Sequence, residues 1–197
     1  MDIGINFNGK LIGDIDGIPV ISFFRYVPKC EGDDNNATES ALRELLWRIK
    51  DGEKDVCNAF TQLLFRFLKR NLRQTCKMTT LAFTPASTLE SSLARWGKMA
   101  HDLSAMLDCD NGFEYLMPAR ESVPRHFIGR GRPRPLDLDE DFFVGKKIIL
   151  IDDLINTGET MCQVISELED AGGEVVLCIA IAHTSQEEVA PREGEAI

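Results

Sequence analysis

Two adjacent carboxylates, Asp152 and Asp153, end the apolar run Ile148–Ile151, and the small polar stretch Asn156-Thr157-Gly158-Glu159-Thr160 follows shortly after. A continuous run of branched aliphatics reads as a strand buried on both faces. The residues from about Gly158 to Ala171 carry a helical pattern that Gly172-Gly173 ends. In an open α/β sheet, ligands sit at the carboxyl ends of the strands, where these acids fall. The first N–H groups of a helix lack internal partners and lie at the positive end of its dipole. With the hydroxyls of Thr157 and Thr160 added, such a turn suits a phosphate group. The acids suit sugar hydroxyls, or water on a divalent metal. Together the two ends of the loop suit a ribose 5-phosphate.

Other readings of the same residues stand beside this one. Acids after a strand often cap a helix or face water. A nucleotide-hydrolysing site also ends a strand in acids, but the chain has no G-x-x-x-x-G-K-[ST] to accompany it. A receiver-type acidic pocket would draw its acids from several strands. Residue chemistry alone leaves sugar-phosphate binding and the purely structural roles both open.

The elements that must position these residues are legible in outline. Ile3–Phe7, Leu11–Ile15 and Ile18–Tyr26 are short apolar runs separated by Asn8-Gly9 and Asp16-Gly17, dipeptides that supply positive φ in two-residue hairpins. An antiparallel meander over residues 2–27 is predicted. Asn36 or Thr38 caps a helix with Leu42, Leu45, Leu46 and Ile49 on one face, ended by Gly52. A second helix presents Phe60, Leu63, Leu64, Phe67 and Leu68, up to about Arg70. Thr79–Phe83 reads as a strand, Leu89–Leu107 as a helix and Phe113–Met117 as a further strand. Val175–Ala182 reads as the last strand. Strand–helix–strand succession with buried-type strands indicates a mostly parallel sheet flanked by helices.

The chain of 197 residues is 44% hydrophobic, enough for a real core, and carries a formal net charge of −10. That balance argues against a general nucleic-acid coat, which needs clustered Lys and Arg. No apolar run approaches the roughly 20 residues that span a bilayer, and the start Met1-Asp2-Ile3-Gly4 lacks signal-peptide character. None of the six cysteines forms a C-x-x-C pair. Zinc and disulfide frameworks are therefore poorly supported, and a reduced, cytoplasmic setting is expected.

The stretch Ile148–Thr160 closely resembles the signature of type I phosphoribosyltransferases, which bind 5-phosphoribosyl-1-pyrophosphate (PRPP). That signature has four apolar residues, two acids, two apolar residues, two small polar residues, Gly, any residue, then Ser or Thr. The segments Leu42–Lys50, Phe83–Thr88 and Ala94–Ala100 are similar in layout to the ComF family of competence proteins. This resemblance implies the type I phosphoribosyltransferase fold: an α/β, mostly parallel sheet flanked by helices, with an N-terminal antiparallel β-meander and helical pair. It implies a hood-like appendage over 1–75, a core over 76–184 and a charged tail over 185–197. Asp152 and Asp153 would hold the ribose 2′- and 3′-hydroxyls as the catalytic pair, and Asn156, Thr157, Gly158, Glu159 and Thr160 would wrap the 5′-phosphate. Mg²⁺ would enter on PRPP oxygens and water, near Asp152 and Asp153.

Pyrophosphate falls, by the same resemblance, to the loop containing Ala86, Ser87 and Thr88, where an ordinary N-cap is the competing role. The Arg-rich stretch 120–134 would supply Arg120 and Arg125 as a mobile basic loop over the leaving group, with nucleic-acid contact as its rival. Little aromatic interleaving supports that rival. Purine-salvage members carry an Asp where this chain has Asn156, and an amide is not a general base near neutral pH. The expected activity is transfer of phosphoribosyl to an acceptor, a nucleobase among the candidates, with release of pyrophosphate. The alternative is a non-catalytic PRPP- or phosphate-binding regulatory or DNA-uptake accessory protein. Neither the acceptor nor a homo-oligomeric state is encoded in a visible motif.

Overall fold

The computed structural model describes residues 8–29, 36–72, 78–119 and 135–184. The chain begins with strands β1 (Lys10–Ile15) and β2 (Ile18–Tyr26), joined by Asp16-Gly17. Both turn residues have positive φ, as a tight two-residue hairpin requires. Helices α1 (Ala37–Lys50) and α2 (Lys54–Leu72) follow. Asn36 caps α1 through its side chain, which accepts from the N–H groups of Thr38 and Glu39. Strand β3 (Thr79–Phe83) leads into α3 (Leu89–Ser92), a π-helical turn (Leu93–Gly97) and α4 (Lys98–Leu107).

Short elements come next: β4 (Asp110–Asn111), a 3₁₀ turn (Phe113–Tyr115), β5 (Leu116–Pro118), β6 (Leu136–Leu138) and α5 (Glu140–Phe143). The central unit is β7 (Lys147–Ile155), α6 (Glu159–Asp170) and β8 (Glu174–Thr184).

The main sheet has six strands in the order β1-β2-β8-β7-β3-β4. Only β1–β2 is antiparallel; β2–β8, β8–β7, β7–β3 and β3–β4 all run parallel. Ile148–Ile151 and Cys178–Ala182 are fully buried because helices cover both faces. One core cluster lies between the sheet and α1, α2 and α4; the other lies beneath α6 and α5. The α/β, mostly parallel fold expected from the sequence is thus present, and the N-terminal hairpin joins the main sheet through β2.

Two local expectations differ. Phe113–Met117, read as one strand, is split: its aromatics form a 3₁₀ turn, and β5 pairs with β6 in a separate two-stranded ribbon. Phe113 is drawn into the core against Phe83, which an extended strand would not allow. Leu89–Leu107 is helical throughout but is interrupted by the π turn. Ile3–Phe7, the Arg-rich stretch with Arg120 and Arg125, and the tail 185–197 lie outside the described residues. No helix among the described residues is long and apolar enough to cross a membrane.

Candidate sugar-phosphate site

Strand β7 delivers Asp152 and Asp153 to its carboxyl end, and α6 starts a few residues further on. The turn between them needs a residue with positive φ, which Gly158 supplies at +80°. A Cβ at Gly158 would meet only Ile15 Cδ1 at 3.8 Å, so the glycine is there for its backbone conformation. No side chain caps α6. Among the described residues, the N–H groups of Thr157, Gly158 and Thr160 have no hydrogen-bond acceptor. Glu159 N–H makes only a long 3.4 Å contact with Thr157 Oγ1. The Glu159 side chain is exposed, so its contribution to an anion cradle is its amide. The side-chain oxygen of Asn156 is taken up by Thr184 Oγ1 at 2.8 Å, which ties the loop to the end of β8.

The acids are not open carboxylates. Asp152 and Asp153 are both buried, at 8% and 4% exposure. Lys50 Nζ, at the end of α1, lies 3.3 Å from Asp153 Oδ1, and Arg95 Nη1, from the π turn, pairs with Asp153 Oδ2. Asp153 N–H donates to Asp152 Oδ1 at 2.7 Å. Burial, and then the negative charge of Asp153, push the Asp152 carboxyl up to about 8, against the pull of Arg95 and Lys50. At neutral pH Asp152 is therefore largely a neutral acid and can donate as well as accept.

The loop after β3 shares this edge of the sheet. Thr84 N–H donates to Ile151 O at 2.9 Å, which sets the loop directly beside the two acids. Ala86 N–H is spent on Ser92 Oγ at 2.8 Å, and Thr88 caps α3 by accepting from Ser91 N–H at 3.1 Å. The capping role weighed for this loop is thus the one Thr88 fills. Thr84 Oγ1 and Arg95 Nε are buried without a hydrogen-bond partner among the described residues. Trp96, fully buried, fixes the loop by donating Nε1–H to Thr84 O at 3.0 Å, and the Arg95 guanidinium lies 5.7 Å from its ring centroid.

Lys50 and Arg95 are the site residues to which sequence reasoning gave no role. Both lie in segments whose layout resembled a known family, but their meeting on one carboxylate depends on contacts between distant parts of the chain. The π turn offered a further signal only after folding; such widened turns recur at functional sites.

The described residues contain no group of three or more His, Cys, Asp or Glu side chains able to hold a metal. Asp152 is largely protonated and Asp153 is neutralised by two cations, so this pair does not fit a resident Mg²⁺. A Mg²⁺ ion would have to arrive on ligand oxygens.

A family described as "Phosphoribosyl transferase domain" matches residues 89–196, more than half of the chain. A transcriptional regulator GfcR from Picrophilus torridus is 41% identical over 58 residues, which cover 26% of this chain and 29% of that protein. A second GfcR, from Thermoplasma acidophilum, is 45% identical over 38 residues, 19% of each chain. The similarity thus spans less than a third of the length of these curated relatives.

Proposed function

Since the chain belongs to the phosphoribosyl transferase domain family, we propose that it binds PRPP at the β7–α6 loop and acts as a ligand-responsive regulatory module. The observation that carries this reading is the loop itself. Unpartnered amides around Gly158 stand beside Asp152 and Asp153 at the carboxyl end of a buried parallel strand. In this reading the amides of Asn156–Thr160 hold the 5′-phosphate, and Asp152 and Asp153 hold the ribose hydroxyls. Ser87, Thr88 and Arg120 and Arg125 face the pyrophosphate.

Three points favour binding without turnover. The relatives GfcR are named as transcriptional regulators. The position after the acids carries Asn156, which cannot take a proton and is tied to Thr184. Asp153 is held by two cations in the ligand-free chain, so the site must rearrange before a sugar can reach it.

Phosphoribosyl transfer is the second reading, and it rests on the family to which residues 89–196 belong. The ComF-type layout is part of the same proposal; the family match supports the broader superfamily. Thermal melts with PRPP and Mg²⁺, run alongside a pyrophosphate-release assay over a panel of nucleobases, separate the two. Regulation predicts a raised melting temperature without pyrophosphate release. Base-dependent release of pyrophosphate would establish the transferase reading instead.

A further inference from the structure

The carboxylate assigned to the sugar is already occupied, and the charge arithmetic around it constrains what can replace Lys50 and Arg95. Both cations are mostly buried, with side-chain exposures of 24% and 15%, and Asp153 is their shared counter-ion. If ribose hydroxyls take over Asp153, the two cations lose part of their compensation in a poorly solvated place. An uncompensated buried charge is strongly unfavourable. A ligand that brings a second anionic group beside the sugar ring removes this penalty; one that carries only a 5′-phosphate does not.

The surroundings are arranged for such an incoming group. Arg95 Nε and Thr84 Oγ1 are buried donors without partners among the described residues. They lie on the two segments that Trp96 links, its ring beside Arg95 and its Nε1–H on Thr84 O. The two cations are also positioned by one rigid contact. Gly52, with φ +73°, lies where a Cβ would strike the Ala94 carbonyl, so the end of α1 and the π turn are packed backbone to backbone.

We propose that Lys50 and Arg95 are specificity-determining residues: they exchange Asp153 for a second anionic group next to the anomeric carbon, so that the site selects a diphosphorylated ribose 5-phosphate over ribose 5-phosphate itself. This rests on the PRPP-binding reading above and adds to it the residues that discriminate. Specificity arises here as much from the penalty on the wrong ligand as from contacts with the right one.

The test compares PRPP with ribose 5-phosphate by calorimetric titration in Mg²⁺-containing buffer, using the wild-type chain, Lys50→Met and Arg95→Met. The wild type is expected to prefer PRPP. Each substitution is expected to shrink that preference about tenfold, the size of one lost charge-assisted contact, while ribose 5-phosphate binds as well as before or better. Lys50, the more exposed of the two, provides the readout if Arg95→Met fails to fold. A preference unchanged in Lys50→Met, or a wild type that binds both ligands equally, would overturn the inference and leave PRPP binding standing. A wild type that binds neither ligand would remove the PRPP reading and this inference together.

Discussion

Gly52 sits against the backbone carbonyl of Ala94, so closely that no side chain fits between them. This contact sets the distance between the end of α1, which carries Lys50, and the π turn, which carries Arg95. Both cations then converge on Asp153. A glycine that in sequence marks only the end of a helix therefore also fixes the geometry of the candidate site.

Gly52→Ala combines a strained positive φ with a backbone clash. It is expected to destabilise the fold by about 2 kcal/mol or more, seen as a lower urea midpoint at unchanged slope. Gly17→Ala has positive φ but open space around it, and is expected to cost about half as much.

Asp152 gives a pH signature. Its carboxyl is raised from an ordinary value of about 3.9 to about 8. The folded chain therefore binds a proton that the unfolded chain releases across that interval. The stability it contributes is fully present below pH 4, declines as pH rises, and is lost once pH passes about 8. Asp152→Asn is expected to flatten this decline in denaturation midpoints measured from pH 5 to 9. An unchanged slope would show that Asp152 is not the titrating group.

Gly158→Ala separates conformation from packing. With only Ile15 within 4 Å of the added Cβ, the cost is backbone strain, on the order of 1 kcal/mol. The larger effect is expected on the ligand: the amide cradle tilts and affinity for ribose 5-phosphate and PRPP falls together. Equal affinity in Gly158→Ala and wild type would remove the phosphate from this turn.

Much of this was visible in the sequence because it is local. The buried run Ile148–Ile151, the Asp152-Asp153 pair, the glycine turn and the α6 stripe are contiguous, and each has one physical interpretation. The hairpin at Asp16-Gly17 and the Asn36 cap are equally local. What was not visible depends on distance along the chain. Lys50, Arg95 and Asp153 come from three separate segments, and no spacing rule joins them. Phe113 is strand-like by composition but is pulled into a 3₁₀ turn by its contact with Phe83. The π turn is a backbone response to packing that residue preference does not encode.

The Trp96 contact offers an independent probe of the loop after β3. Trp96→Phe keeps most of the buried ring but removes the hydrogen bond to Thr84 O. A loss of about 1–3 kcal/mol is expected from the bond and the cavity together. Faster amide exchange across residues 84–88, followed by mass spectrometry, is the accompanying sign.

The most direct measurement is a calorimetric titration of PRPP with Mg²⁺ into the wild-type chain and into the Asp152→Asn, Asp153→Asn double variant, with circular dichroism confirming that both are folded. Saturable binding to the wild type that disappears in the folded double variant is expected if the two acids receive the sugar. Undiminished binding in the double variant, or no binding to the wild type, would contradict it.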